Sequence, residues 1–177
     1  MNLLNNFMFN IENIKEEHKE ILDKFYGIFP VPLTQLAQAL GYKINYFTPD
    51  ADTIKISGFI DYKSDKKIIG INNFDSEYRQ RFTIAHEIGH ILNGDDVSND
   101  FYIDYRDNIE GKNRDKKEVM ANKVAAELLM PKTEFINKFN EFKKLNKSNT
   151  LIFMNLSLYF GVSEEAIKIR ADHLKLL

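Results

Sequence analysis

The chain has four histidines, and two stand four residues apart with a glutamate between them, in His86-Glu87-Ile88-Gly89-His90. Positions i and i+4 of a helix lie one above the other on a single face, so two imidazoles can offer lone pairs to one cation from the same side. Glu87 stands one residue along, beside such a cation but turned away from the histidine pair. A carboxylate there can hold a water and take its proton without displacing it, which is the residue set of a zinc-dependent peptide hydrolase. The competing reading is a chance pair of surface or core histidines. Placement argues against it, because the motif falls inside a stretch that reads independently as an amphipathic helix.

A catalytic zinc takes three protein ligands and leaves one position open. Cysteine is absent, and a third histidine in the H-E-x-x-H-x-x-G-x-x-H spacing is missing, since Asn93 and Asp96 occupy the relevant offsets. A glutamate on a later helix is the remaining solution. Glu118 opens one, with Asn122 a turn further on the same face and able to brace a ligand. A helix-N-terminal glutamate favoured by the macrodipole is the alternative for Glu118, and Glu110 and Glu127 compete for the same role. A second donor to the developing oxyanion has three candidates by residue type: Tyr102, Tyr105 and His173. Against these stand loop anchors for the tyrosines and a solvated helix face for His173. His18, set among Glu16, Glu17, Lys19 and Glu20, reads as an exposed helix residue.

The elements that must position these groups are legible from periodicity. Apolar residues at helical spacing predict helices over Asn10 to Phe29 (stopped by Pro30 and Pro32), Leu33 to Leu40, Ser76 to Leu92, Lys116 to Met130 and Lys132 to Lys144. Ser76 is the expected N-cap of the histidine helix. Strand patterns over Lys43 to Phe47, Ile54 to Tyr62 and Lys67 to Asn72 predict a small antiparallel sheet of about three strands, with Gly58 a candidate bulge and Ser64-Asp65-Lys66 a hairpin turn. Lys67 to Asn72 is a candidate edge strand for an extended substrate. Asp95 to Lys117 reads as a long polar connection, its acidic residues a solvated loop or a gate over the cleft. Asn149 to Leu177 reads as a C-terminal helical hairpin turning at Gly161-Val162-Ser163. The expected organisation is a peptidase domain over 1–147 with the hairpin of 148–177 packed on it. The hairpin's Val162-Ser163 turn resembles a DNA-binding one, but Glu164, Glu165 and Asp172 dilute its basic face, and packing is the expected role.

Composition sets the class. The 177 residues are 44% hydrophobic and 28% charged with a net charge of -2, which suits a cored domain and gives no electrostatic reason to expect nucleic acid. Without cysteine there is no disulfide framework. Residues 1–10 lack the pattern of a signal peptide, and no apolar run approaches a membrane span. The expected location is cytoplasmic.

Arg81-Phe82-Thr83-Ile84-Ala85-His86-Glu87-Ile88-Gly89-His90, followed by Glu118-x-x-Ala121-Asn122 and Ala125-Ala126-Glu127-Leu128-Leu129-Met130-Pro131, resembles the ImmA/IrrE family of bacterial metallopeptidases. The similarity extends to Pro30-Val31-Pro32 and Leu36-Ala37-x-x-Leu40-Gly41 near the start. It reaches Phe160-Gly161-Val162-Ser163 and Ala166-x-x-x-Arg170 near the end. The resemblance implies an α+β, zincin-like fold and one zinc per chain. It also implies that Glu118 is the third ligand beside His86 and His90, with Glu87 the base. It further implies cleavage of a helix-turn-helix repressor encoded nearby, in a mobile element, prophage or stress operon, so that transcription is derepressed. Manganese or iron could occupy a site of this kind in the cell. The alternative class is a zinc-stabilised binding module that regulates a partner without cutting it. A retained Glu87 argues against that, because a structural site has no use for a base.

Overall fold

In a computed structural model of the chain, the described residues are 14–62, 67–94, 101–105 (backbone only), 116–145 and 148–177. Helix α1 (Glu16–Phe25) ends earlier than its apolar pattern predicts, because Tyr26 turns extended and Gly27 adopts a left-handed conformation with φ 81°. Helix α2 (Leu33–Ala39) follows the Pro30-Val31-Pro32 segment and buries Leu33, Leu36 and Ala37. His18 is a correction to the sequence reading. Its side chain is only 14% exposed, and burial, the largest influence, holds its pKa below the ordinary histidine value.

Strands β1 (Lys43–Phe47), β2 (Ile56–Asp61) and β3 (Ile68–Asn72) form where the alternation predicts them. The sheet nevertheless differs from expectation in two ways. It has four strands, ordered β1-β3-β2-β4, with β4 at Phe101–Tyr105 inside the segment read as a loop. Phe101, Tyr102, Ile103 and Tyr105 favour a pleated strand, a signal obscured by the acidic residues around them. The sheet is also mixed: β2 pairs antiparallel with β3 and β4, but β1 runs parallel to β3. Strand β3 is therefore paired on both sides and is no edge. The predicted turn at Ser64-Asp65-Lys66 lies outside the described residues, as do Asp95, Asp96, Asp100, Asp107 and Glu110.

Helix α3 (Glu77–Asn93) lies against β2 and β3. The Ser76 hydroxyl accepts from the Arg79 N–H at 3.3 Å, satisfying one orphan donor of the first turn. Gly94 ends the helix in the left-handed conformation at φ 68°. Helices α4 (Lys116–Leu129), α5 (Lys132–Leu145), α6 (Asn149–Phe160) and α7 (Glu164–His173) complete the chain. One cluster of buried side chains runs from Leu22 through Ile60, Ile69 and Ile71 of the sheet and Ile84 and Ile88 of α3. It continues through Leu128 of α4 and Phe135 and Phe139 of α5 to Leu156, Phe160 and Ile167. Burial on this scale, at about 25 cal/mol per Å² of apolar surface removed from water, is what fixes α3 against the sheet.

Candidate metal centre

Helix α3 carries His86, Glu87 and His90, all at most 2% exposed. Burying three ionisable groups on successive turns is costly unless they serve a purpose. Helix α4 packs on α3 more extensively than any other pair of described elements, and Gly89 is the reason it can come so close. An added Cβ at Gly89 would stand 2.8 Å from the Ala121 carbonyl oxygen and 2.9 Å from its Cα. With that side chain absent, Glu118 and Asn122, one turn before and just after this crossing, reach the two histidines.

The Nε2 atoms of His86 and His90 lie 3.1 Å apart. Glu118 Oε2 is 3.3 Å from His86 Nε2, and Oε1 is 3.4 Å from His90 Nε2. One donor atom from each of the three residues falls within 4.8 Å of the others. His86 Nδ1 lies 3.0 Å from Asn122 Oδ1; a neutral ring that donates its proton there keeps a bare lone pair on Nε2. Burial is the largest influence on Glu118 and raises its pKa. When the rings are protonated, a hydrogen bond from His86 and the charges of His90 and His86 outweigh it, and the carboxyl then sits below its ordinary value. Two lone pairs and a carboxylate facing one point repel one another unless a cation stands between them. The set of two imidazoles and one carboxylate therefore fits a divalent metal ion, which these three residues would hold.

Glu87 is buried against strand β2. Its Oε1 would stand 3.2 Å from a Cβ at Gly58, and that same Cβ would meet Thr83 Cγ2 at 2.5 Å and the Gly70 carbonyl at 3.1 Å. Strand β2 thus presses bare backbone against Glu87 at the point where its pairing with β4 shifts register between Ile56 and Gly58. The bulge read from Gly58 is there, and its purpose is close approach to the helix. Sequence reasoning missed this wall of the site, and missed Gly89 as the spacer; a glycine inside a periodic helix was the available signal for the latter.

The remaining candidates divide. Glu127 is elsewhere: it pairs with Arg170 and accepts from the Lys132 N–H at 2.8 Å. Glu110 lies outside the described residues. Tyr102 and Tyr105 stand on β4, opposite Ile60 and Ile56 through the backbone; their side chains lie outside what is described. His173 is exposed at the end of α7, and among the described residues no contact joins it to His86, His90 or Glu118.

Among curated proteins, the chain is 39% identical over 83 residues to the radiation response metalloprotease IrrE of Deinococcus radiodurans, covering 46% of this chain and 24% of that one. Among solved structures it resembles a Mycobacterium tuberculosis transcriptional regulator with a TM-score of 0.51 at 18% identity, a likeness of fold that covers 89% of this chain and 47% of the other. It thus spans about a quarter of the first relative's length and about half of the second's. Residues 37–172 match the family profile of the IrrE N-terminal-like domain, and with more than half its length so matched the chain belongs to that family.

Proposed function

We propose that the chain is a zinc-dependent endopeptidase, with His86, His90 and Glu118 holding the ion and Glu87 as the base. The observation that carries this is the convergence of three donor atoms within 4.8 Å of one another, with the carboxylate of Glu87 buried on the same helix as the two histidines. Zinc, when bound, supplies Lewis acidity, acidifying water and drawing charge from a carbonyl oxygen. The protein does the rest. Asn122 keeps His86 in the ligating tautomer, so that its Nε2 lone pair faces the same point as Glu118. Glu87, wedged between α3 and the bare backbone of Gly58, takes a proton from the attacking water and delivers it to the leaving nitrogen. One water is consumed, one peptide bond breaks, and a carboxylate and an amine leave. Strand β4, the described sheet edge on the side of β2, is the place for an extended substrate to add.

The substrate we propose is a helix-turn-helix repressor whose cleavage relieves repression in the cytoplasm. The family resemblance supports it, as does the description of the curated relative as a radiation response metalloprotease. Residues 148–177 serve here as part of the peptidase body. Supporting this, Arg170 Nε donates to the Met130 carbonyl at 3.1 Å and Arg81 Nε to the Gly161 carbonyl at 2.8 Å.

Elemental analysis of protein purified without added metal tests the ligand set. One zinc per wild-type chain, largely lost in Glu118→Ala while the fold persists, is the expected result. Full zinc in that variant moves the third ligand elsewhere, and no transition metal in wild type after zinc is supplied overturns the proposal.

A further inference from the structure

On α3, residues 79, 86 and 90 are separated by seven and four positions, which at 3.6 residues per turn places Arg79 within about 20° of both histidines around the helix axis. Its side chain is neither buried nor fully exposed. Two contacts hold its guanidinium. Nη2 donates to Ser57 Oγ at 3.1 Å, and the guanidinium carbon lies 5.9 Å from the centroid of the Phe82 ring. Phe82 in turn stacks on His86, with ring centroids 6.3 Å apart and planes 30° from parallel. Arg79, Phe82 and His86 thus form a ladder leading along the helix to the metal centre.

Ser57 fixes where the ladder starts. It is fully buried and sits at the register shift of β2, next to Gly58, whose bare backbone faces Glu87. Two consecutive residues of one strand therefore touch Arg79 and border the proposed base. Among the described residues no carboxylate forms an ion pair with Arg79. A cation that is oriented by a buried hydroxyl, stacked on an aromatic ring and, among the described residues, not ion-paired to a carboxylate is a prepared receptor for an anion. Arginine suits a carboxylate through its planar fork.

We infer that Arg79 is a specificity-determining residue that recognises an acidic side chain of the peptide substrate; the inference rests on the peptidase reading above. Arg79 and His86 are about 10 Å apart along the helix at 1.5 Å per residue, and an extended peptide advances about 3.3 Å per residue. The Ser57–Gly58 adjacency shortens that span. The recognised Asp or Glu stands two or three positions from the scissile bond.

The test uses the zinc-loaded full chain and a degenerate library of synthetic peptides, with cleavage sites read by mass spectrometry. Wild type is expected to enrich Asp and Glu at one such position. Arg79→Gln loses the enrichment, Arg79→Lys keeps part of it, and Arg79→Glu exchanges it for Lys and Arg, each with bound metal and unfolding midpoint unchanged. On one preferred peptide, Arg79→Gln should raise KM about tenfold to a hundredfold. On the same peptide with its acid replaced by the amide, the variant should match wild type. Glu87-dependent cleavage without acidic enrichment, or with enrichment that survives in Arg79→Gln, overturns the inference and leaves the peptidase reading standing. Absence of any Glu87-dependent cleavage overturns both.

Discussion

Glu87 and Asn122 show how differently two polar residues near one centre can act. Glu87 is not one of the three donor residues, so Glu87→Gln should keep the metal. A neutral amide cannot take a proton, so peptide hydrolysis should fall by about a hundredfold to ten-thousandfold, the usual worth of a positioned base. Parallel zinc analysis and turnover measurements check this; unchanged function with zinc retained would favour a binding module instead. Asn122 works through His86, whose Nδ1–H it accepts at 3.0 Å. In Asn122→Ala the imidazole loses the partner that fixes its tautomer, and zinc affinity should weaken about tenfold to a hundredfold. Competition against a chromophoric chelator measures it.

At the scale of elements, two glycines set how near the walls of the site approach. In Gly89→Ala the new methyl meets backbone atoms of Ala121 at under 3 Å, which only displacement of α4 can relieve. Overpacking of this kind costs about 1–3 kcal/mol, and here it also carries Glu118 and Asn122 away from the histidines. A lower unfolding midpoint together with weaker zinc binding is expected; a variant with full zinc and wild-type stability would show that α4 adapts. Gly58→Ala acts on the other wall. Its methyl meets Thr83 Cγ2 at 2.5 Å and Glu87 Oε1 at 3.2 Å, and the β-branched Thr83 is stiff at χ1. Turnover should drop while zinc content holds, since this wall borders the base and not the donor set.

Over the whole molecule, the segments that resemble the family at opposite ends of the chain meet at one side chain. Arg81, five residues before His86, donates through Nε to the Gly161 carbonyl at 2.8 Å and through Nη2 to the Val31 carbonyl at 3.0 Å. It joins the Pro30-Val31-Pro32 segment and the turn between α6 and α7 to the histidine helix. Burial, the largest influence on it, pulls its pKa below the ordinary arginine value. Arg81→Leu removes two hydrogen bonds to a charged donor and should cost about 2–3 kcal/mol. For a chain of this size that lowers the midpoint by roughly 4–12 °C, measurable by calorimetry.

What the sequence determined by itself was local. The i, i+4 pairing of His86 and His90 follows from helical geometry, Ser76 starts that helix through capping chemistry, and alternation located three strands. All of these depend on residues within a turn or two of one another. Only the tertiary structure decided the rest. It took a close helix crossing over Gly89 to bring Glu118 and Asn122 to the histidines and send Glu127 to Arg170. Pairing across the sheet made β3 central, β1 parallel and Phe101–Tyr105 a fourth strand. The approach of β2 put a bare glycine beside Glu87. Each depends on which distant surfaces bury one another, and that burial is set by the packing of the entire core, not by the pattern of any one segment.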